Sequence, residues 1–403
     1  MPPNRTEIQH AAGVAPQIAT PGPPREAVVT AGSAAGAPRR DERHIDVLHL
    51  VASGVLLAKE AARDAKPLKL PYPAPLQRAL DIISIICLRA GVDAPRSVPD
   101  LLAWCRRPLT SWPLDLDDDA VVDGDRLLDG VEPTRLCEEW SVASGDVEAE
   151  VQERRLLHDV LTTCRAADAQ SAYVAFRRLL IERPVVTALE LHQQMGDPSL
   201  SLLAEHVRRA YLPVPPEAIV DGQLHICRTC DNLLLRDSLD GLACADERCR
   251  RQATWRQGRV LSVRDGVFWL ARPLRTFVAA PGRTEIRLSR RVARMGIAVD
   301  LWPSFDAYDL RVVFPSGRAW AVDVKDWANP FLLARQVRRI PEAPVWDRAF
   351  FVFPQERLRR PDYLRAFRNH SRALGGSPPV DALMEKRFLA VVAAALAEER
   401  SDA

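Results

Sequence analysis

The chain has 403 residues, of which 47 % are apolar, 27 % charged and 6 % aromatic, enough for two or three folded domains. The composition excludes a wholly disordered chain. The sequence holds no apolar run of about 18 residues and begins without the apolar stretch of a signal peptide, so we expect a cytoplasmic protein without membrane contact.

Positive charge is concentrated in one part of the chain, although the formal net charge is only +2. Residues 250–370 contain 24 Arg or Lys against 11 Asp or Glu, whereas the remainder contains 31 against 42. This excess predicts contact with a polyanion such as nucleic acid, with a solvated face as the alternative. Lys325 is the only lysine between residues 70 and 385. Because lysine is a compact charge whose pKa adapts to its surroundings, Lys325 is a candidate functional residue.

The N-terminal half of the sequence predicts a tail followed by helices. Residues 1–40 are rich in Ala, Pro and Gly without periodicity, which predicts a disordered tail. Residues 41–215 are predicted to form an α-helical domain, with helices over 42–62, 73–91, 97–105, 146–166, 169–183 and 187–211. Ser97 and Asp100 have the spacing of a capping box. The acidic segment 114–125 departs from the EF-hand pattern and predicts a solvated loop rather than a calcium site.

Four of the eight cysteines lie within 23 residues, at Cys227, Cys230, Cys244 and Cys249. Four thiolates can surround Zn²⁺ tetrahedrally, so residues 220–258 are predicted to form a zinc-ribbon-like module with a structural zinc ion. The four-residue gap in the second pair departs from the usual ribbon and leaves His225 as an alternative ligand. Buried free thiols and a redox pair are the other interpretations. The remaining cysteines, Cys87, Cys105, Cys137 and Cys164, are predicted to be core residues, and we expect all thiols to stay reduced.

The C-terminal part predicts an α/β domain over 259–375, followed by a C-terminal helix over 376–403. The pattern indicates a helix over 283–296, strands over 297–303, 308–314 and 318–327, a helix that begins at Asn329 and Pro330, and a strand over 348–354. Glu285 lies on the apolar face of the first helix, where a carboxylate needs a partner or a metal ion.

Acidic residues and a lysine are predicted to meet at one end of this sheet. Strand alternation puts Asp323 and Lys325 on one face, and Asp309 begins the preceding strand. Carboxylates bind Mg²⁺ or Mn²⁺ through oxygen and leave positions open for water and phosphate. The lysine can orient or deprotonate the attacking water and offset charge on phosphorus. These residues predict phosphodiester hydrolysis, with a surface Asp–Lys pair on a hairpin as the alternative.

Asp309 and the later triplet DVK at 323–325, within the order helix, three strands, helix and strand, resemble the PD-(D/E)XK restriction-endonuclease-like superfamily over about residues 283–370. The resemblance implies that the two aspartates bind Mg²⁺ or Mn²⁺, that Lys325 is the catalytic lysine and that Glu285 is the helix carboxylate. Tyr308 stands where the pattern has proline, and Asp306 competes for the role of first acid.

The whole layout also resembles the restriction-endonuclease-like protein of bacterial pPIWI-RE three-gene islands. Its parts are an α-helical N-terminal region, a zinc-ribbon-like insert and a C-terminal α/β restriction-endonuclease-like core with the sequence DVKDW. This resemblance implies a role in defence against invading DNA, with a Piwi-type protein and a helicase as partners.

We therefore expect a metal-dependent DNA endonuclease, with RNA as the alternative substrate. The arginines Arg287, Arg290, Arg291 and Arg294 are candidates to hold the nucleic-acid backbone. Trp302 and Trp327 flank the predicted site, where core packing is favoured over stacking on a base.

Two other functions fit the same sequence. A catalytically inactive nuclease fold would bind nucleic acid or a partner protein, but it would have no reason to keep Lys325. A DNA-binding regulator would use a helix-turn-helix within residues 169–211.

Overall fold

The computed structural model describes residues 40–63, 70–143, 151–236, 241–251, 253–375 and 379–401. The predicted tail over 1–40, apart from its last position, and the start of the predicted helix over 146–166 lie outside these residues. No helix in these ranges has both the length and the apolar character needed to cross a membrane.

The N-terminal region is mainly helical, as predicted. Its helices are Arg40–Arg63, Ala74–Ala90, Val98–Trp104, Arg135–Ala143, Val151–Ala166, Gln170–Glu182, Ala188–Met195 and Ala204–Ala210. The single helix predicted over 187–211 is wrong, because a 3₁₀ segment at Pro198–Leu203 separates the last two helices. Pro198 explains the break, since a proline disfavours helical backbone at the residue before it. The helix-turn-helix function stays a prediction.

Only half of the predicted capping box forms at Ser97. The Ser97 hydroxyl accepts a hydrogen bond from the Asp100 backbone N–H at 3.3 Å. The Asp100 carboxylate instead accepts from the Arg96 N–H at 3.1 Å.

These helices belong to two separate hydrophobic cores. The first packs Arg40–Arg63 against Ala74–Ala90 and Arg135–Ala143. The second packs Gln170–Glu182 against residues 270–286 and Trp302. Cysteines 87, 105, 137 and 164 are buried in these two cores, which confirms their predicted place. The second core joins a helix of the N-terminal region to the C-terminal region.

A four-stranded antiparallel sheet carries the cysteines. Its strands lie in the order Leu242–Cys244, Leu233–Arg236, Gln223–Cys227 and Gln257–Ser262, and the short helix Glu247–Arg251 follows the first of them. The first two strands form a hairpin between the two cysteine pairs. Residues Val267–Leu270 do not join the C-terminal sheet, because they pair with Val185–Thr187 and Tyr211–Pro213.

The C-terminal region is built on a mixed five-stranded sheet. Its strands lie in the order Ala298–Leu301, Leu310–Val313, Ala319–Val324, Arg348–Phe353 and Val380–Met384. The first three are antiparallel, and the last two run parallel to their neighbours. Helices cover both faces, with Ala280–Ala293 and Glu385–Ser401 on one and Pro330–Gln336 and Tyr363–His370 on the other. The predicted order of helix, three strands, helix and strand is confirmed.

The sequence analysis missed the strand Val380–Met384 and placed a helix over the whole of 376–403. Asp, Ala and Met have weak strand preference, so only Val380 signals a strand strongly. The helix start at Asn329 is confirmed, because the Asn329 side chain accepts from the N–H groups of Phe331 and Leu332 at 3.0 and 3.2 Å.

Candidate active site and metal centres

The central strand Ala319–Val324 carries Asp323 and Lys325 to one end of the sheet. Val322 and Val324 pack into the core on one face, which leaves the other face to Asp323. The Lys325 Nζ lies 2.7 Å from Asp323 Oδ2, as strand alternation predicts. Both side chains are partly exposed, at 24 % for Lys325 and 16 % for Asp323, so the pair borders solvent.

Asp309 reaches the same end from the neighbouring strand. Leu310 pairs with Val322 in the antiparallel register, which brings the preceding residue beside the end of the central strand. The Asp309 Oδ2 accepts the Val324 N–H at 2.6 Å. Burial raises the pKa of Asp309 well above its usual range, and the carboxylates of Glu285 and Asp323 raise it further.

Glu285 lies on the inward face of helix Ala280–Ala293, as predicted, and is 2 % exposed. Its carboxylate accepts hydrogen bonds from the Trp302 indole N–H at 2.5 Å and from Arg177 at 3.0 Å. Burial raises the pKa of Glu285, although the Arg177 charge opposes the shift.

Arg177 is a residue of this site that the sequence analysis missed. It lies on helix Gln170–Glu182, is 7 % exposed, and stacks over Trp302 at 4.7 Å from the ring centre. Its guanidinium contacts Glu285 and Asp306 and lies 4.0 Å from Asp309 Oδ1. It stands 108 positions from Glu285 in the sequence, so spacing motifs could not reveal it. The one available signal was an arginine on a face of the helix that is otherwise apolar.

The charged side chains described above line one cleft of about 480 Å³. Its lining includes Arg177, Glu285, Asp306, Asp309, Asp323, Lys325, Trp327, Arg338 and Arg339. Arg338 and Arg339 are exposed and follow helix Pro330–Gln336. Trp302 is fully buried, which confirms its predicted core role.

The four arginines predicted to hold nucleic acid do not line this cleft. Arg287 and Arg291 pair with Glu385 at 3.0 and 2.8 Å, and Arg290 pairs with Glu182 at 3.2 Å. Arg294 is exposed at the end of the helix. Their predicted role stays a prediction, on a surface separate from the cleft.

The donor chemistry of the cleft suits a hard cation, since carboxylate oxygens are the ligands that Mg²⁺ prefers. Among the residues that the structure describes, Glu285, Asp309 and Asp323 do not form a three-ligand group of metal-binding size. Arg177 and Lys325 contact these carboxylates instead.

Asp326, which follows Lys325, accepts hydrogen bonds from arginines of three regions: the helical region, the cysteine module (residues 220–258) and the C-terminal region. Its buried carboxylate accepts from Arg248 of the cysteine module at 2.8 Å and from Arg357 at 2.9 Å. Its backbone carbonyl accepts from Arg135 of the helical region at 3.2 Å. Burial raises the pKa of Asp326, but the charges of Arg357, Arg248 and Arg135 outweigh this and lower it to about 2.

The four cysteines form a second, closed cluster in which all sulfur atoms lie within 4.8 Å of one another. The Sγ atoms of Cys227 and Cys249 are 3.8 Å apart, and those of Cys230 and Cys244 are 3.4 Å apart. Zinc–sulfur bonds of about 2.3 Å in a tetrahedron place sulfurs about 3.8 Å apart. The buried cluster is therefore compatible with structural zinc. His225 is not one of its members.

The acidic segment 114–125 forms a loop, as predicted, in which Asp115, Asp118 and Asp123 are exposed, but other aspartates of the loop are paired rather than solvated. Asp125 pairs with Arg360 at 2.9 Å, and the side chains of Asp119 and Asp125 are largely buried. The His370 Nε2 lies 3.2 Å from Asp119 and 3.7 Å from Asp117, so these three side chains could bind a metal ion.

Two family models match this chain. Residues 47–187 match pPIWI_RE three-gene island domain Y, and residues 282–400 match the REase associating with pPIWI_RE. The predicted resemblance to the restriction-endonuclease-like protein of pPIWI-RE islands is thereby confirmed, and the cysteine cluster lies between the two matched segments. No curated protein and no solved structure matches the chain.

Proposed function

We propose that this chain is a nuclease that uses a divalent metal ion, Mg²⁺ or Mn²⁺, to hydrolyse phosphodiester bonds in DNA within a pPIWI-RE defence system. The observation that carries the proposal is one cleft lined by Asp309, Asp323 and Lys325 at the end of the central strand. The segment 282–400, which matches the REase associating with pPIWI_RE, contains all three residues.

The PD-(D/E)XK fold is part of this proposal. A mixed five-stranded sheet with helices on both faces supports it, because the acids stand where the second and third strands meet. Glu285 reaches the same place from the preceding helix.

Asp309 and Asp323 would hold the metal ion. When bound, a divalent ion supplies an activated water and offsets charge on the phosphate oxygens. Asp309 is fixed by its hydrogen bond from the Val324 N–H, so the carboxylate keeps one oxygen for a ligand.

Lys325 would act as a cation that stabilises charge on the phosphate. Burial lowers the pKa of Lys325, but the carboxylates of Asp323 and Asp309 raise it by more, so the net shift is upward. A lysine that keeps its proton at neutral pH supports charge stabilisation over removal of a proton from water.

Substrate would enter past Arg338 and Arg339, the exposed arginines of the cleft rim. Phosphate contacts from such side chains position nucleic acid without reading its sequence. The Cys227, Cys230, Cys244 and Cys249 cluster would hold a structural zinc ion. That ion would fix the helix from which Arg248 reaches Asp326.

One observation favours the second candidate, a nuclease fold that binds nucleic acid or a partner without cleaving. Lys325 already pairs with Asp323, and the Arg177 guanidinium lies 4.0 Å from Asp309 Oδ1, so both carboxylates that would hold the metal ion face a cation.

Plasmid nicking separates the two functions. Supercoiled DNA is incubated with Mg²⁺ or Mn²⁺ and the protein, alone and with the Piwi-type protein of the same island. The variants are Asp323→Asn, Lys325→Met and the matched control Asp300→Asn, an exposed aspartate on the strand Ala298–Leu301.

The wild type and the Asp300 control are expected to nick DNA. The Asp323 and Lys325 variants are expected to be slower by about 10²–10³-fold, the usual cost of removing a group that stabilises transition-state charge. Equal nicking by all four proteins would refute the site. Binding of DNA without nicking by any of them would establish the inactive alternative.

A further inference from the structure

One face of helix Gln170–Glu182 contacts the turn over residues 302–306, which precedes Asp309. Gln170, Tyr173 and Arg177 are spaced three and four residues apart, so their side chains share that face. Gln170 donates to the Trp302 carbonyl at 2.7 Å and accepts from the Phe305 N–H at 2.6 Å. The Tyr173 hydroxyl donates to Asp306 at 2.9 Å.

The turn that these residues hold has an unfavourable backbone. Trp302, Ser304, Phe305 and Asp306 have φ values of 49°, 48°, 57° and 71°, in the left-handed region that L-residues seldom adopt. Such a conformation persists only where surrounding contacts enforce it. The helix face therefore sets the position of Asp306 and of the chain that leads to Asp309.

The charges of the cleft show what Arg177 does there. Five carboxylates line the cleft; Asp326 is paired with Arg248 and Arg357, and the other four are Glu285, Asp306, Asp309 and Asp323. Arg177 lies among the first three of these four, and Lys325 pairs with the fourth. The Arg177 Nε–H is buried and has no hydrogen-bond partner, so the guanidinium sits here for its charge contacts rather than for a complete set of hydrogen bonds. A fixed cation in this position therefore neutralises carboxylates that would otherwise be open to a second cation.

We propose that Arg177 is a resident cation of the cleft that competes with divalent ions for Glu285, Asp306 and Asp309, and so limits the cleft to one ion, held by Asp309 and Asp323. Arg177 is a positioning residue in this scheme, and the segment that matches domain Y supplies it to the segment that matches the REase. The inference rests on the proposed function only for the statement that the cleft takes a divalent ion.

Manganese binding tests this inference without reference to cleavage. Free Mn²⁺ is followed by electron paramagnetic resonance during titration of the full chain with its zinc retained. The variants are Arg177→Met, which removes the charge, and Arg177→Gln, which keeps one hydrogen-bond donor for the carboxylates. Arg178→Met is the matched control, because the neighbouring arginine is exposed and lies outside the cleft.

Both Arg177 variants are expected to bind one Mn²⁺ ion more than the wild type, or the same number with affinity about tenfold higher or more. The Arg178 variant is expected to bind like the wild type. Any ion at Asp117, Asp119 and His370 is common to all four proteins and does not affect the difference. Unchanged or weaker binding in folded Arg177 variants would overturn the proposal.

Folding is monitored by near-ultraviolet circular dichroism in the same samples. An Arg177 variant that folds only when Mn²⁺ is present supports the proposal, because the ion then replaces the guanidinium. A variant that stays unfolded in Mn²⁺ contradicts it. Failure of the nuclease proposal alone would give a different result. The Arg177 variants would then still change Mn²⁺ binding, but the wild type would nick no DNA.

Discussion

The cysteine cluster and the carboxylate cleft differ in how much of the chain each needs. All four sulfurs come from residues 227–249, on three adjacent strands with their turn and on one short helix. The cleft takes its charged side chains from separate segments that span residues 135–339. The first site is local, whereas the second forms where the helical region meets the C-terminal region, and Arg248 of the cysteine module contacts its lining residue Asp326.

The two sites also treat charge differently. The cysteine cluster is closed and buried, as expected for a site in which a metal ion completes the fold. The cleft keeps its carboxylates near Arg177 and Lys325 and stays open to solvent at Asp323. A local cluster that holds the proposed zinc ion should therefore lose the ion and its fold together. The assembled cleft should fail when any of the three regions shifts.

The largest effect is expected from Cys244→Ser. We expect loss of the bound zinc ion and of much of the stability of the module, because structural zinc sites contribute about 10–16 kcal/mol of binding free energy. Zinc content and thermal unfolding measure this. Cys164→Ser is the control, since Cys164 is buried outside the cluster and should cost only about 1 kcal/mol. Equal losses in both variants, with zinc retained, would refute the zinc site.

The next largest effect is expected from Asp326→Asn, which tests the assembly of the cleft. The change leaves Arg248 and Arg357 buried without their charged partner, and breaking a buried pair of this kind costs about 3–5 kcal/mol. Urea unfolding of the variant measures the cost. The control Asp300→Asn alters an exposed side chain and should change the free energy of unfolding by less than about 0.5 kcal/mol. A similarly small change at Asp326 would show that the three regions do not depend on it.

The pH dependence of unfolding is a second test of the contribution of Asp326 to stability. The pKa of Asp326 is lowered to about 2 in the folded protein, against about 3.9 for an unperturbed aspartate. Its contribution to stability is fully present above about pH 4 and is lost as the pH falls towards 2, with a total of about 2–3 kcal/mol. The wild type should therefore lose more stability than Asp326→Asn between pH 4 and 2. Parallel curves for the two proteins would contradict the lowered pKa.

The smallest effect is expected from single arginines that we propose to contact DNA. Arg338→Ala, on the cleft rim, should weaken DNA binding by about three- to tenfold. It should also reduce the slope of log affinity against log salt concentration by about one. Arg294→Ala should have less effect, because Arg294 lies away from the cleft. Fluorescence anisotropy at several salt concentrations compares them. A larger loss of DNA affinity in Arg294→Ala than in Arg338→Ala would indicate that nucleic acid binds along helix Ala280–Ala293, as its arginines predict.

The contrast between the two sites also explains what could be predicted from the sequence. The cysteine cluster and the Asp323–Lys325 pair follow from spacing and strand alternation, which are local rules. Asp309 follows from the hairpin register. Arg177 could not be predicted, because its contacts with Glu285 and Asp306 depend on how helix Gln170–Glu182 packs on distant residues.

The same reasoning applies to two other predictions. The arginines of helix Ala280–Ala293 have the composition of a nucleic-acid surface, but Glu385 and Glu182 from distant segments engage three of them. The acidic segment 114–125 has the composition of a solvated loop, but Arg360 and His370 from the C-terminal region meet its aspartates. Partners far away in the sequence decide which charges stay available.

Anomalous diffraction from crystals soaked in Mn²⁺ tests the central claim most directly, since it locates the ion by element. The account predicts one manganese peak in contact with both Asp309 and Asp323, with Arg177 still beside Glu285. A peak only at Asp117, Asp119 and His370, or one that displaces Arg177 from Glu285 and Asp306, would contradict it.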